Sequence, residues 1–368
     1  MNSLYLANCR VLGSYPSYDA KLWHEIHHVI GLNVSLVDRT DTIKMPFNFK
    51  IYKEFLMPKL NRYFAKTYED CCNNRAIELL SMVKAINKPI IVLYSGGIDS
   101  TLILVSLMKN CPQNQLRQWV TVALTADSIV ENPNFYYDYI RKNFNIISSD
   151  TIGSYFDQSS LIVSGEYNDQ IFGSDILGSM YREKFYDKIN EPYSKDIITA
   201  WFVSRGMSPD AADLWFELVD KQIKTRAECE VTTNFHFFWW INFCFKWQSV
   251  YFRLLARVDV NMRHYITENF VRQYFHHFYS TTDFQQWSML NHHRKLVDNW
   301  QSYKTEAKQI IYEFNRDSDY LNNKIKIGSL SILFQQKYTA DAIDSEFNFI
   351  DECCLNPADY YVENNSFI

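Results

Sequence analysis

Apolar and polar positions change their rhythm several times along this chain, and each change predicts an element. Ile90 to Tyr94 run without a polar residue behind Pro89, a pattern that fits a strand buried on both faces of a parallel sheet. The chain must then turn sharply. Gly96 and Gly97 tolerate positive φ, while Ser95, Asp99, Ser100 and Thr101 supply short polar groups at the start of a helix. From Leu102 to Met108 the apolar positions are too dense for a solvent-facing helix, so this one packs on the sheet. A second strand is read over Trp119 to Leu124, followed by the turn Thr125-Ala126-Asp127-Ser128 and a helix from about Pro133 to Asn143. A third short apolar run, Leu161 to Val163, ends in Ser164-Gly165. Strand, helix, strand, helix predicts an α/β fold built on a parallel doubly wound sheet with right-handed crossovers.

The flanks are plainer. Residues 1–57 read as a small α+β lead-in, with strands over Leu4–Leu12 and Leu32–Val37 around a helix over Asp19–Ile30. Leu60, Tyr63, Phe64, Tyr68, Ile77, Leu80 and Val83 keep helical spacing up to Ile86, with an interruption near Cys72-Asn73-Asn74. Beyond Gly173 the pattern is helical, at about 180–191, 196–204, 209–226, 234–255, 265–278 and 297–314. The expected division is a lead-in (1–57), an α/β core (58–180), a helical region completing the active site (181–345) and a tail (346–368).

Composition narrows the function classes. The 37 basic and 42 acidic residues give a formal charge of −5 with no basic block, so nucleic acid is not the expected partner. Phe235–Phe252 is strongly apolar but contains His236, Asn242, Lys246, Gln248 and Ser249, too polar for a membrane span. The amino terminus has no basic region followed by an apolar signal core. The eight cysteines contain no Cys-x-x-Cys, which suits reduced thiols in a cytoplasmic protein.

The chemistry gathers at the glycine turns. A strand, a glycine turn and a helix N-terminus together offer backbone N–H groups and a positive dipole end to an anion. Ser95-Gly96-Gly97-Ile98-Asp99-Ser100 lacks the Gly-Lys-Ser/Thr of a Walker loop and the third glycine of a dinucleotide fingerprint. After Ser164-Gly165, Glu166 and Asp169 stand three residues apart and share a face if a helix begins there, pointing at the same crevice as Asp99. Converging acids beside a phosphate site call for a counter-ion, and magnesium bridging carboxylates and phosphates is the economical one. The adjacent pairs His276-His277 and His292-His293 do not match helical metal sites with ligands four apart, and a surface or partly packed role is expected for them.

The loop Ser95–Ser100 resembles the pyrophosphate loop of the ATP pyrophosphatases. Together with Ser164-Gly165-Glu166-x-x-Asp169-x-x-Phe172-Gly173 it resembles the synthetase domain of the asparagine synthetase and β-lactam synthetase family. That resemblance implies an ATP pyrophosphatase-type fold and an ATP- and Mg²⁺-dependent ligase: a carboxylate substrate is adenylated, pyrophosphate leaves, and ammonia or an amine takes the acyl group. It further implies that Asp99 and Asp169 hold the metal and that Ser95, Gly96, Gly97 and Ser100 cradle the pyrophosphate. Glu166 would orient or deprotonate the amine, while Leu93, Leu124 and Gly165 line the AMP pocket. The family's loop lysine, which stabilises charge on the α-phosphate, maps to Lys324 or Lys326 in Asn322–Gly328, after a helix bearing Lys304 and Lys308. Glutaminase members carry a nucleophilic cysteine directly after the initiator methionine. Here that residue is Asn2, so nitrogen comes from free ammonia, an amine or a separate glutaminase. Two other readings stay open: adenylation of a nucleobase or tRNA carbonyl, and a degenerate nucleotide-binding regulatory module.

Overall fold

The computed structural model describes residues 2–149, 154–173, 186–296, 302–324, 339–351 and 354–362. Chain contacts divide the protein into two compact units, each assembled from separated stretches. A sheet unit combines residues 61–172 with 258–337, and a helical unit combines 1–60, 173–257 and 338–368.

The sheet unit is α/β. Among the described residues its strands are β1 (Ile90–Leu93), β2 (Val120–Leu124), β3 (Asn145–Ser148), β4 (Leu161–Ser164) and β5 (Phe275–His277). They are hydrogen-bonded in the order β3-β2-β1-β4-β5, and every neighbouring pair is parallel. β1, β4 and almost all of β2 are buried, which is why continuous apolar runs betray them. The register Ile90↔Leu161, Ile91↔Ile162 and Val92↔Val163 sets the carboxyl ends of β1 and β4 side by side. From β1 the chain winds outward through β2 to β3, then returns to the other flank of β1 as β4. The gap between β1 and β4 is therefore the point at which strand order reverses, where open parallel sheets receive ligands.

Helix α1 (Tyr68–Ile86) leads into β1, and α2 (Ile98–Asn110) follows it. Thr67 and Asp70 form a reciprocal capping box at the start of α1, so the helix begins there rather than in the apolar-spaced stretch from Leu60. Nor is α1 interrupted at Cys72–Asn74, because Cys71 and Cys72 are buried and Asn73 accepts from Asn110 Nδ2 at 2.8 Å. Two strands depart from the sequence reading. β3 has three exposed positions and no apolar run, while β5 lies where a helix over 265–278 was expected. The helix there is shorter, Glu268–Gln273, and the inward, outward, inward burial of Phe275, His276 and His277 is a strand alternation.

In the helical unit, Ser3–Leu6, Ala342–Asp344 and Phe349–Ile350 form a three-stranded antiparallel sheet. Helices span Tyr18–Gly31, Lys195–Ser204, Pro209–Arg226, Asn234–Phe245 and Trp247–Leu255. The last two were expected as one, but Lys246 separates them. The expected strands over Leu4–Leu12 and Leu32–Val37 are also revised: the first stops at Leu6, and the second stretch is irregular. Irregular backbone there is still bonded, with Ser35 N donating to Leu6 O at 2.9 Å and Leu36 N to His27 Nδ1 at 3.0 Å. Among the described residues no helix is long and apolar enough to cross a membrane, and every cysteine is a free thiol.

Candidate active site

The turn after β1 starts from Tyr94, whose N–H still donates to Ala123 O on β2 at 2.8 Å. Ser95 follows, and its hydroxyl and that of Ser100 face each other at 3.2 Å. Ser100 Oγ also accepts from Ser95 N at 3.2 Å, and Ser95 Oγ accepts from Gly97 N at 3.3 Å, so the two buried serines lace the turn from inside. Gly96 has φ +78°, and a Cβ there would come within 2.5 Å of Ser128 O and 2.7 Å of Glu131 Cβ. Only glycine fits. Gly97 caps α2, whose first-turn amides have no acceptor within the helix and stand at the mouth of the turn.

The turn after β4 is built in parallel fashion. Ser164 Oγ accepts from Glu166 N at 3.2 Å and lies 2.5 Å from His277 Nδ1, so the buried end of β5 braces the turn. His277 is fully buried, a correction to the surface or partly packed role expected for the histidine pairs. A Cβ on Gly165 would lie 3.3 Å from both Asp99 Cβ and Ser100 N, so the two turns pass in near contact. Tyr167 takes the left-handed conformation, φ +77°, and the short helix α3 (Asn168–Phe172) starts immediately after it.

Between the turns lies the feature that organises the site. Lys304, wholly buried, reaches Asp99 Oδ1, Asp99 Oδ2 and Asp169 Oδ1 with its Nζ, each at 2.6 Å. The two carboxylates keep about a fifth of their side-chain surface exposed, 21% and 20%. Such charge-assisted contacts are strong, and a buried ammonium is tolerable only with partners of this kind. Lys304 itself has φ +57°, a left-handed backbone that non-glycine residues rarely hold, just before helix α4 (Thr305–Asn315).

Of the residues expected at the site, Ser95, Gly96, Gly97, Asp99, Ser100, Gly165, Glu166 and Asp169 all lie on these two turns or the first residues beyond them. Leu93 and Leu124 sit at the carboxyl ends of β1 and β2, both buried. Lys324 follows helix α5 (Ser318–Asn323) and bonds the Glu131 carboxylate, also donating to Glu131 O at 3.1 Å. Because Glu131 Cβ packs against Gly96, Lys324 stands at the outer rim of the serine–glycine turn. The lysine that joins the aspartates is Lys304. Lys326 lies outside the described residues. Sequence reasoning placed Lys304 on a helix and passed over it. No local signal marked it: the helix expected over about 297–314 put Lys304 in its interior, whereas the observed helix begins only at Thr305.

Among the described residues no cluster of three or more His, Cys, Asp or Glu could cage a metal. Two carboxylates are nevertheless what magnesium ordinarily takes from a protein when phosphates and waters fill its other positions. Asp99 and Asp169 fit that role and do not fit a protein-only metal centre. No protein-family model matches this chain, and no curated protein matches it significantly.

Proposed function

We propose that the sheet unit is an asparagine synthetase-like, AMP-forming C–N ligase: it binds ATP with magnesium at the β1/β4 crevice, adenylates a carboxylate with release of pyrophosphate, and passes the acyl group to ammonia or an amine. Its sheet would then be of the ATP pyrophosphatase type. The observation that carries this reading is the convergence of Asp99 and Asp169, from two separate strand ends, on one buried lysine at 2.6 Å.

Each residue has a task in this scheme. The amides at the start of α2 and the hydroxyls of Ser95 and Ser100 hold the leaving pyrophosphate. Lys304 supplies a fixed positive charge beside it that needs no reorganisation as negative charge builds on the phosphates. Asp99 and Asp169 would hold magnesium, which when bound neutralises phosphate charge as a Lewis acid. Glu166, half-buried at the head of the second turn, orients or deprotonates the incoming amine. Lys324, at the rim, is available to the α-phosphate if it leaves Glu131.

The test is a panel of carboxylates and nucleobase derivatives, each incubated with the protein, ATP, Mg²⁺ and labelled pyrophosphate. At least one carboxylate is expected to drive exchange of label into ATP, and Asp99→Asn is expected to abolish it while the chain still folds. Exchange that persists in Asp99→Asn removes the metal assignment. Exchange driven by nucleobases alone replaces the acyl acceptor, and failure of calorimetry to detect MgATP binding sinks the reading altogether.

A further inference from the structure

Asp99 is gripped from a second direction. Its carbonyl oxygen accepts the Tyr279 hydroxyl at 2.8 Å, and its Oδ1 accepts Asn168 Nδ2 at 2.6 Å. Asn168 Oδ1 in turn accepts the Tyr68 hydroxyl at 2.6 Å. Tyr68, Asn168 and Tyr279 are completely buried. The two tyrosine rings are nearly parallel, 3° apart in plane and 6.5 Å between centroids, and Tyr68 is further packed by Phe172, Phe284 and Trp287. A carbonyl or amide oxygen can only accept, so both phenol hydroxyls act as donors here.

The direction of this chain of bonds is fixed by chemistry. An ionised carboxylate can only accept, so the group facing Asp99 must be the Asn168 amide nitrogen. The Tyr68 hydroxyl, donating to Asn168 Oδ1, holds the amide that way round. Both ends of the Asn168 amide bond side chains, the Tyr68 hydroxyl and a carboxylate that is still one-fifth open to the crevice.

We infer that Tyr68 and Asn168 form a positioning relay for Asp99: the phenol fixes the amide, and the amide fixes the plane in which the carboxylate would hold magnesium. The relay rests on the ATP reading above. Tyr279 anchors the main chain of the same residue, so the aromatic cluster holds both the backbone and the carboxylate of Asp99. Groups that orient a metal-side carboxylate typically matter about tenfold or more in metal affinity although they never touch the ion.

Calorimetric titration of the full chain with ATP in Mg²⁺, and again with ATP in EDTA, tests this without needing the acyl substrate. Asn168→Ala should weaken binding about tenfold in Mg²⁺ and leave binding in EDTA nearly unchanged. Tyr68→Phe, which removes one oxygen and keeps the ring, should show the same selective loss at about threefold. Should Asn168→Ala fail to fold, the tyrosine variant carries the test alone. Wild-type affinity in the folded variants, or equal loss with and without Mg²⁺, overturns the relay and leaves the ATP reading standing. Absence of MgATP binding by the wild type overturns both.

Discussion

Acidic side chains in the two units are satisfied in opposite ways. In the helical unit, Asp38 Oδ1 accepts from Thr40 N and Thr40 Oγ1 at 2.8 Å and from Gln222 Nε2 at 2.9 Å. Its Oδ2 accepts from Thr42 N at 2.9 Å and Ile43 N at 2.8 Å. These donors are neutral, and all but Gln222 lie within five residues of the acid. In the sheet unit, Asp99 and Asp169 share an ammonium that is 205 and 135 residues away. Asp38 is 6% exposed, whereas the paired aspartates keep about a fifth of their surface. The donors differ as much as the burial does: Asp38 is saturated by local neutral groups that shape a loop, while Asp99 and Asp169 are brought together from two strand ends and balanced by one long-range cation, the arrangement that the proposed function takes as a site for an incoming charge.

The sharpest way to break that contrast is Lys304→Met. Methionine fills much of the same volume but leaves two carboxylates facing each other without a cation, and breaking a buried ion pair on one side is costly. Because both acids are partly open to solvent, the low end of that range applies, about 3 kcal/mol of lost stability. MgATP binding should fall with it. Denaturant unfolding and calorimetry check the two effects, and a variant as stable as wild type would mean that the aspartates do not depend on Lys304.

Asp38→Asn probes the other side. The amide keeps the shape but turns one acceptor into a donor facing N–H groups that already point at it, a loss of about 1–2 kcal/mol. MgATP affinity should stay at the wild-type value. If it fell with stability, Asp38 would belong to the binding machinery and the contrast between local and long-range satisfaction would fail.

How much of this could be read in advance follows the same division. β1, β2 and β4 were legible because parallel strands buried on both faces are written as apolar runs, and the motif residues Asp99, Glu166 and Asp169 stand next to them. β3 and β5 were not. β3 pairs with β2 alone and exposes Asn145, Ile146 and Ser148, while β5 is three residues long and follows a helical pattern. Lys304 was hidden for a different reason: partnership over 205 residues leaves no local trace, and a left-handed lysine ahead of a helix imitates no capping pattern. Conversely, Asn322–Gly328 read as a polar loop offering a candidate lysine, and the Glu131 partner that Lys324 bonds lies on another element, which spacing could not disclose. The two units, each stitched from distant stretches, were equally beyond a reading that moves along the chain in order.

The contrast can be refined by acid. His27 in the helical unit is fully buried, ringed by Trp23, Phe47 and Phe49, and its Nδ1 accepts from Leu36 N at 3.0 Å. Burial, with a smaller contribution from the neighbouring His24, lowers its pKa from the usual 6.5 to about 3. The folded state therefore binds this proton far less readily than the unfolded chain. Stability from the neutral imidazole is complete above about pH 6.5 and is lost as pH falls toward 3, by up to about 1.4 kcal/mol per pH unit. Protonation would also turn Nδ1 into a donor opposite the Leu36 N–H. Hydrogen exchange over Tyr18–Gly31 and at Leu36, followed from pH 7 to pH 4, should show protection falling with a slope of about one proton, in excess of any decline at β1 and β4. In His27→Gln, which can still accept from Leu36 but does not titrate, that slope should flatten. A slope unchanged by the substitution would assign the acid sensitivity of this unit to other groups, His24 first among them, since burial lowers its pKa as well.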